Sequence, residues 1–219
     1  MKLLVVTGPV STSIDSVRAI TNVASGKTGL AIATEAARRG HSGVLLTSIP
    51  PSLELTEWEL IQFKEFNDLQ IKLEALIRSK PFDAIVMAAA ICDYVVSGYS
   101  PDRNGEIRSA QGKISGHLSE LWLRLVPAPR LVNLIRESWG YKGMLIIFKL
   151  EAALSINELF FRAESTRSRC GANIVVANLL ESADVEAWLG PSKEGGYHHV
   201  QRECLPFVLL DAIESGAIS

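Results

Sequence analysis

The apolar positions of the chain fall into short buried-type runs separated by amphipathic stretches, and this pattern predicts alternating strands and helices. Strands are predicted at 2–7, 43–48, 82–89, 144–150 and 173–178. Helices are predicted at 27–39, 69–79, 129–138, 156–170 and 206–214, with a hairpin around Gly195-Gly196. Continuous apolar strands that alternate with helices are typical of parallel sheets covered on both faces. The pattern therefore predicts an α/β fold with a Rossmann-like, doubly wound, mostly parallel sheet.

One long segment interrupts this alternation. Residues 97–118 are rich in Gly, Ser and Pro, and a loop of this length in a compact domain is often a lid or a binding loop. Apolar and polar positions then alternate over 120–126, which predicts a half-exposed strand and a candidate pairing edge between two copies. We expect one domain over 1–219, with the sheet and helices in 1–95 and 127–180 and a loop-rich second lobe.

Composition and charge narrow the class of protein. Of the 219 residues, 47% are hydrophobic and 21% charged, which is ordinary globular composition. Lys and Arg number 22 and Asp and Glu 24, a net charge of −2 that gives no electrostatic footprint for nucleic acid. The longest apolar run, 84–92, is about half the length of a membrane span. We expect no nucleic-acid or membrane partner.

The cysteines indicate a reducing compartment. There are three, Cys92, Cys170 and Cys204, far apart and without a CxxC pair. An odd number at such spacings suggests neither a disulfide framework nor a zinc site. We therefore expect a cytoplasmic protein.

The connection between the first strand and first helix contains a candidate anion site. Gly26-Lys27-Thr28 looks like the end of a P-loop, but Thr21 occupies the position of the required earlier glycine. The dinucleotide fingerprint is also absent, since Val10 lies two residues after Gly8. What remains is a polar loop that leads into a glycine-rich helix start, where an anion is favoured. The other interpretation is an ordinary helix cap at Ser25, and the segment alone leaves both open.

Three charged positions have two interpretations each. Asp15 could cap a short turn and pair with Arg18, the simpler interpretation in isolation. Asp93 directly follows a buried strand, so it could bind a nucleotide group or help to hold magnesium, or it could cap the next turn. Lys113 lies in a Gly/Ser-rich stretch, where it could close over phosphates or remain solvated.

Together these segments resemble phosphopantothenate–cysteine ligases of coenzyme A biosynthesis. They occur in family order, cover about residues 1–180, and comprise Gly8-Pro9, 14–18, 20–22, 25–27, 88–90, Asp93-Tyr94, 112–115, 127–130, 148–151 and 176–178. The block 14–29 is the most specific of them. The segment around Lys113 is similar to the short, monofunctional bacterial form, which has no flavin-binding decarboxylase half before it.

The resemblance implies a two-step ligation. The carboxylate of phosphopantothenate attacks the α-phosphate of CTP (ATP in eukaryotic members) with Mg²⁺, and pyrophosphate leaves. The amine of cysteine then attacks the acyl-nucleotide. The resemblance also implies a homodimer.

The resemblance implies roles for individual residues. Asn22 would hold the acyl region of the intermediate, and Lys113 would neutralise the triphosphate, so both are expected to be catalytic. The implied nucleotide-binding residues are Ala89, Ala90, Asp93, Lys113, Pro129, Leu131, Val132, Phe148 and Arg169. The implied substrate-binding residues are Gly8, Asn22, Ser25, Gly26 and Lys27, and Asp93 is the candidate magnesium ligand.

The chain departs from the family pattern at several positions. Lys113 stands alone where many members have several lysines, and the other departures are Ala24 for serine, Ile147 for glycine, Leu179 for aspartate, and Arg169 or Cys170 for a helical lysine. These departures leave open the alternative that the chain is a nucleotide-binding relative of the ligases that has lost catalysis.

A nicotinamide-dependent short-chain reductase would share the α/β sheet. Its proton transfer needs a Tyr-x-x-x-Lys motif, and none of the four tyrosines is followed by lysine at that spacing. The glycine fingerprint is missing as well, so the ligase is favoured over this alternative.

Overall fold

The computed structural model describes residues 1–50, 55–110, 112–192 and 195–216. The strands are β1 Lys2–Pro9, β2 Ser11–Ser13, β3 Ala19–Thr21, β4 Ser42–Thr47, β5 Trp58–Gln62, β6 Ala84–Ala90, β7 Tyr94–Ser100, β8 Trp122–Pro127, β9 Met144–Glu151, β10 Ile174–Leu179, β11 Glu186–Gly190 and β12 His198–Gln201. The helices are α1 Lys27–Arg38, α2 Phe66–Ser79, α3 Leu131–Glu137, α4 Ile156–Cys170 and α5 Leu205–Glu214, and a 3₁₀ turn at Arg202–Cys204 precedes α5.

The main sheet has the order β12-β11-β10-β9-β6-β1-β4-β5. Strands β10, β9, β6, β1, β4 and β5 are parallel to one another, while β11 and β12 add antiparallel pairs at one side. The predicted mostly parallel, doubly wound sheet is confirmed. The two apolar runs at 2–7 and 82–89 form β1 and β6, which are central and parallel as predicted.

Alternate residues of β1 face two hydrophobic layers. Leu3 and Val5 pack with α1 and α5, whereas Leu4 and Val6 pack on the side of α2, α3 and α4. All four side chains are fully buried. Because burial of each such side chain contributes about 1.5–3 kcal/mol, the central strands are the most strongly stabilised part of the fold.

The parallel strands end at a common edge, called here the carboxyl edge, and two antiparallel hairpins continue beyond it. The β2–β3 hairpin follows β1 directly, and the β7–β8 hairpin begins four residues after β6 ends. The backbone N–H of Val96 donates to Thr12 Oγ1 at 3.0 Å, which joins the two hairpins. They form the second lobe, and we call them the hairpin lobe.

The structure differs from the sequence prediction mainly in this lobe. The connection after β1 was predicted as a polar loop, but it contains β2 and β3, whose strands of three residues are too short to show a strand pattern. The predicted loop at 97–118 starts later, because 97–100 belong to β7 and pair with β8. Residue 111 of that loop lies outside the described residues. The edge strand β5 was not predicted at all.

The tail follows the prediction more closely. The hairpin expected around Gly195-Gly196 is formed by β11 and β12.

At the opposite end of the chain, the Met1 amino group lies 3.4 Å from His41 Nδ1, at the edge where the parallel strands begin. In the part of the chain that the structure describes, no helix is both long and apolar enough to cross a membrane.

Candidate active site

Glycines bring the start of α1 against the end of β1. Gly8 and Gly26 have φ values of 98° and 68°, which favour glycine, and a Cβ on Gly26 would lie 3.2 Å from the Gly8 Cα. Gly29 is equally constrained, since a Cβ there would lie in contact with the Thr7 side chain. The Thr7 hydroxyl donates to the Gly26 carbonyl at 2.9 Å. The helix therefore begins directly above the carboxyl edge.

The first turn of α1 is suited to an anion. Gly26 is the N-cap and has no side-chain cap, and the first turn contains no acidic residue. Ser25, predicted as the alternative cap, accepts only a long 3.5 Å bond from the Lys27 N–H. Uncapped backbone N–H groups and the positive end of the helix dipole stabilise negative charge at this position.

Asn22 is tied to the end of β6. Its Nδ2 group donates to the carbonyl of Ala90 at 3.1 Å and to that of Ile91 at 3.0 Å. Both amide hydrogens are thereby used, so Oδ1 is the atom that Asn22 can offer to a ligand. The structure brings Asn22 and Ala90 together, as the predicted site requires.

Asp93 and Cys92 lie just beyond β6 and differ in exposure. Asp93 is exposed, and its carbonyl accepts from the Ala128 N–H at 2.8 Å, which draws the segment before α3 to the same edge. Cys92 is buried, and its thiol donates to the Val10 carbonyl at 2.9 Å. Burial raises the pKa of Cys92, so this thiol is neutral and serves packing.

The residues around α3 divide into surface and core. Pro129 is exposed beside the edge, and Val132 is partly buried. Leu131 is 1% exposed and belongs to the main hydrophobic cluster. The Leu131 side chain therefore packs in the core and does not provide the predicted nucleotide contact.

Phe148 lies near the end of β9, on the face covered by α1 and α5. It pairs in register with Val176 of β10 and packs, partly buried, against the apolar cluster on that face. Ala89 of β6 and Gly8 of β1 are also register partners. Phe148 thus lies on the same face of the sheet as α1, on a strand that β6 separates from β1.

Arg169 is not brought to this edge. It lies in the last turn of α4, a helix of 15 residues that runs about 22 Å back along the sheet. Just after this helix, the Asn173 N–H donates to the carbonyl of Leu145, the second residue of β9. A helix that follows a parallel strand must return to the opposite edge, so Arg169 lies far from the other predicted residues.

Arg202 was missed by the sequence interpretation. Its guanidinium donates to Asn178 Oδ1 at 2.8 Å and to Thr28 Oγ1 in the first turn of α1. Burial lowers the pKa of Arg202, although the nearby Asp184 opposes this. Arg202 comes from the segment after β12, where only contacts between distant parts of the chain reveal its position.

Asp15 and Arg18 form the pair that was predicted, and they do more than cap a turn. Asp15 accepts from the N–H groups of Val17 and Arg18 and pairs with the Arg18 guanidinium. It also accepts from the N–H of Ile114, next to Lys113, at 3.0 Å. Lys113 itself is exposed. These contacts bring the Lys113 segment to the β2–β3 hairpin.

The carboxylates of the described residues do not form a preformed metal cluster. Within 1–50, 55–110, 112–192 and 195–216, no group of three or more His, Cys, Asp or Glu side chains is placed to hold a metal ion. Asp93 stands as a single exposed carboxylate. A single carboxylate together with substrate phosphates is a common environment for Mg²⁺, so Asp93 fits that ion better than zinc.

The comparisons with known proteins agree on one family. The profile of the DNA/pantothenate metabolism flavoprotein C-terminal domain matches residues 1–188. The chain is 32% identical over 185 residues to the coenzyme A biosynthesis bifunctional protein CoaBC of Thermococcus kodakarensis, covering 83% of the chain and 42% of that protein. It is 28% identical over 132 residues to phosphopantothenate–cysteine ligase 1 of Oryza sativa subsp. japonica, covering 60% of the chain and 38% of that protein.

Solved structures give the same result. The DNA/pantothenate metabolism flavoprotein from Streptococcus pneumoniae aligns with a TM-score of 0.84 and 25% identity, covering 99% of each chain. A Cab2 mutant in complex with phosphopantothenate-cysteine aligns with a TM-score of 0.77 and 16% identity, covering 98% of this chain and 85% of that one. The second likeness shows the fold alone.

Proposed function

The chain belongs to the family of the DNA/pantothenate metabolism flavoprotein C-terminal domain, and we propose that it joins phosphopantothenate to cysteine through an acyl-nucleotide intermediate. One observation carries the proposal: an uncapped helix start and the Asn22 amide lie at the carboxyl edge, and the Lys113 segment, from a distant part of the chain, is bonded to the β2–β3 hairpin beyond that edge. The curated relatives are named for coenzyme A biosynthesis and for this ligation. The chain spans about 42% of the length of the Thermococcus relative, so the proposal concerns the ligation only.

The first step is activation of the carboxylate. A carboxylate oxygen of phosphopantothenate forms a bond to the α-phosphorus of the nucleotide, and the bond from that phosphorus to pyrophosphate breaks. Negative charge grows on the departing pyrophosphate. The α1 N-terminus and Lys113 supply positive charge, which stabilises this transition state more than the bound nucleotide.

The second step is aminolysis. The cysteine amine forms a bond to the acyl carbon, the nucleoside monophosphate leaves, and the amine loses a proton. Asn22 Oδ1 would accept a hydrogen bond from the attacking amine. This assignment is supported by the contacts of Nδ2, whose hydrogens are donated to the carbonyls of Ala90 and Ile91, so that Oδ1 remains available. A closed lid would shield the intermediate from water, and we assign that role to 101–110, the part of the predicted lid that directly follows β7.

We assign the remaining predicted residues around this chemistry. The nucleotide would contact Ala89, Ala90, Asp93, Pro129, Val132 and Phe148, and the substrate would contact Gly8, Asn22, Ser25, Gly26 and Lys27. Mg²⁺, held by Asp93 and phosphate oxygens, would neutralise charge on the phosphates. The similarity of the Lys113 segment to the short bacterial form supports CTP as the nucleotide. The three free thiols among the described residues support a cytoplasmic location.

The activity test separates the enzyme from a relative that has lost catalysis. Purified protein is incubated with phosphopantothenate, Mg²⁺ and either CTP or ATP without cysteine, and pyrophosphate release is measured. We expect release with CTP, and ligated product once cysteine is added. Binding of nucleotide by calorimetry with no pyrophosphate from either nucleotide would replace the ligase with a binding protein.

We also propose that the protein is a homodimer that pairs through the β7–β8 hairpin. Three large apolar side chains on this hairpin are exposed: Tyr94 at 55%, Trp122 at 42% and Leu125 at 45%. Exposed large apolar side chains distributed along a strand pair are typical of a surface that a second copy covers. It supports pairing at β8, which the alternating pattern of 120–126 already suggested.

Light scattering after size-exclusion chromatography tests the dimer. Leu125→Glu places a charge in the hairpin surface and should convert a dimer to a monomer. Phe161→Glu is the matched control, because Phe161 is 77% exposed on α4 and lies away from the hairpin. A monomeric wild type, or two variants that behave alike, would contradict pairing through β8.

A further inference from the structure

The contacts of Asp15 reach well beyond its own turn. Its carboxylate accepts from the Val17 N–H at 2.9 Å and the Arg18 N–H at 2.8 Å, and it pairs with the Arg18 guanidinium. It also accepts from the Ile114 N–H at 3.0 Å, across 99 positions in sequence. The Asp15 side chain is fully buried, with 0% exposure. A turn cap on the surface would need neither this burial nor the distant partner.

Arg18 binds the same residue, Ile114, through its carbonyl group. Arg18 Nη2 donates to the Ile114 carbonyl at 2.7 Å, whereas the Asp15 carboxylate accepts from the Ile114 N–H. The Ser16 N–H donates to the Gly112 carbonyl at 3.4 Å, and the Ile114 side chain is 4% exposed. The backbone on both sides of Lys113 is therefore attached to the turn between β2 and β3.

We propose that Asp15 is a positioning residue that holds Lys113 at the phosphates by fixing the Ile114 peptide to the β2–β3 turn. This inference rests on the proposed function of Lys113. Gly112 and Ile114 are anchored, so Lys113 is held between two fixed residues and does not swing with the lid.

The charge of Asp15 is what makes this attachment possible. Five donor groups point at its carboxylate, and Arg18 balances its negative charge inside the hairpin. Asn at this position keeps the size but replaces one acceptor oxygen with an NH₂ group. That NH₂ would face N–H donors of Arg18 or Ile114, so the Ile114 bond or the Arg18 pair would be lost.

A double-mutant cycle tests whether Asp15 acts through Lys113. Pyrophosphate release from CTP and phosphopantothenate is measured for wild type, Asp15→Asn, Lys113→Gln and the double variant. We expect Asp15→Asn alone to lower kcat about tenfold, and to change it less than about twofold when Lys113 is already Gln. An equal tenfold loss in both backgrounds would show that Asp15 acts independently of Lys113 and would overturn the proposal.

Asp83→Asn is the matched control. Asp83 is exposed at the opposite edge of the sheet, where its carboxylate accepts from the Lys2 N–H at 2.7 Å. It contacts neither Gly112 nor Ile114 among the described residues, so its variant should keep wild-type kcat. Ile114→Pro removes the N–H that Asp15 accepts and leaves the acid intact. Ile114→Pro should therefore lower kcat as Asp15→Asn does. It also provides the test if the Asp15→Asn protein does not fold.

Trypsin cleavage after Lys113 gives a readout that does not depend on activity. We expect slow cleavage in wild type and Asp83→Asn, and cleavage at least tenfold faster in Asp15→Asn. Equal rates in all three would overturn the attachment itself. A wild type that is protected but releases no pyrophosphate from CTP or ATP would remove the proposed function and, with it, the positioning role.

Discussion

The main sheet and the hairpin lobe are held together by different forces. The central strands β1 and β6 are buried almost throughout, and their side chains pack in two apolar layers. In the lobe, β3 is exposed at every position and most of β8 is exposed as well. Polar bonds such as those of Thr12, Asn22 and Asp15 hold the lobe in place.

This difference separates stability from chemistry. The sheet sets where the site lies, because its strands end at one edge. The lobe and the loops bring the groups that could act on a substrate, as surface connections on a rigid scaffold often do. Substitutions in the sheet should therefore change the free energy of unfolding, whereas substitutions in the lobe should change turnover.

The largest effect is expected in the sheet. Ile85 is fully buried in β6, so Ile85→Ala leaves a cavity and should lower the free energy of unfolding by about 2–5 kcal/mol. Ile71→Ala on α2 is the control, since Ile71 is 68% exposed and should cost little. Urea unfolding measures both. Equal losses of unfolding free energy in the two variants would contradict the view that the buried sheet supplies most of the stability.

The next effect is on the first chemical step. Lys113→Gln keeps much of the length and removes the charge, so pyrophosphate release should fall by about a hundredfold, or about 3 kcal/mol. The urea midpoint should not move, because Lys113 is exposed. Lys142→Gln, just before β9 at the opposite edge, is the control and should retain full activity. A Lys113 variant with wild-type release would make this residue a solvated loop lysine.

A smaller effect is expected at Asn22. Asn22→Asp keeps the shape but turns the two donors toward Ala90 and Ile91 into a carboxylate that faces carbonyl oxygens near an anionic intermediate. Overall ligation should fall by more than about tenfold. Asn67→Asp, at an exposed position in the first turn of α2, is the control and should retain full activity. Unchanged ligation in Asn22→Asp would restrict Asn22 to holding its loop.

The sequence predicted the parts of the fold in which local signals and packing agree. The boundaries predicted for α4 are those observed, because Ser155 and Glu158 form a capping box at its start and Gly171 ends it in the left-handed conformation. The central strands were recognised for a similar reason. Their continuous apolar runs are typical of strands in a sheet that is covered by helices on both faces.

The sequence could not predict what depends on distant contacts. The bond from Ile114 to Asp15 spans 99 positions, and neither residue carries a pattern that announces the other. Arg169 was predicted to join the site from a resemblance in spacing, but the direction of α4 places it at the other edge. Arg202 was missed for the opposite reason: only the fold places it beside Thr28 and Asn178.

The direction of β1 also has a practical consequence for attachments to this protein. The Met1 amino group lies beside His41, whereas Gly8 stands at the carboxyl edge. Gly8 lies seven residue steps after Met1 along the strand, a distance of about 23 Å at about 3.3 Å per residue. A purification tag, a surface linker or a fused domain joined at Met1 would therefore leave the molecule on the side away from the proposed site. Immobilisation through Met1 should keep the proposed site open to solution.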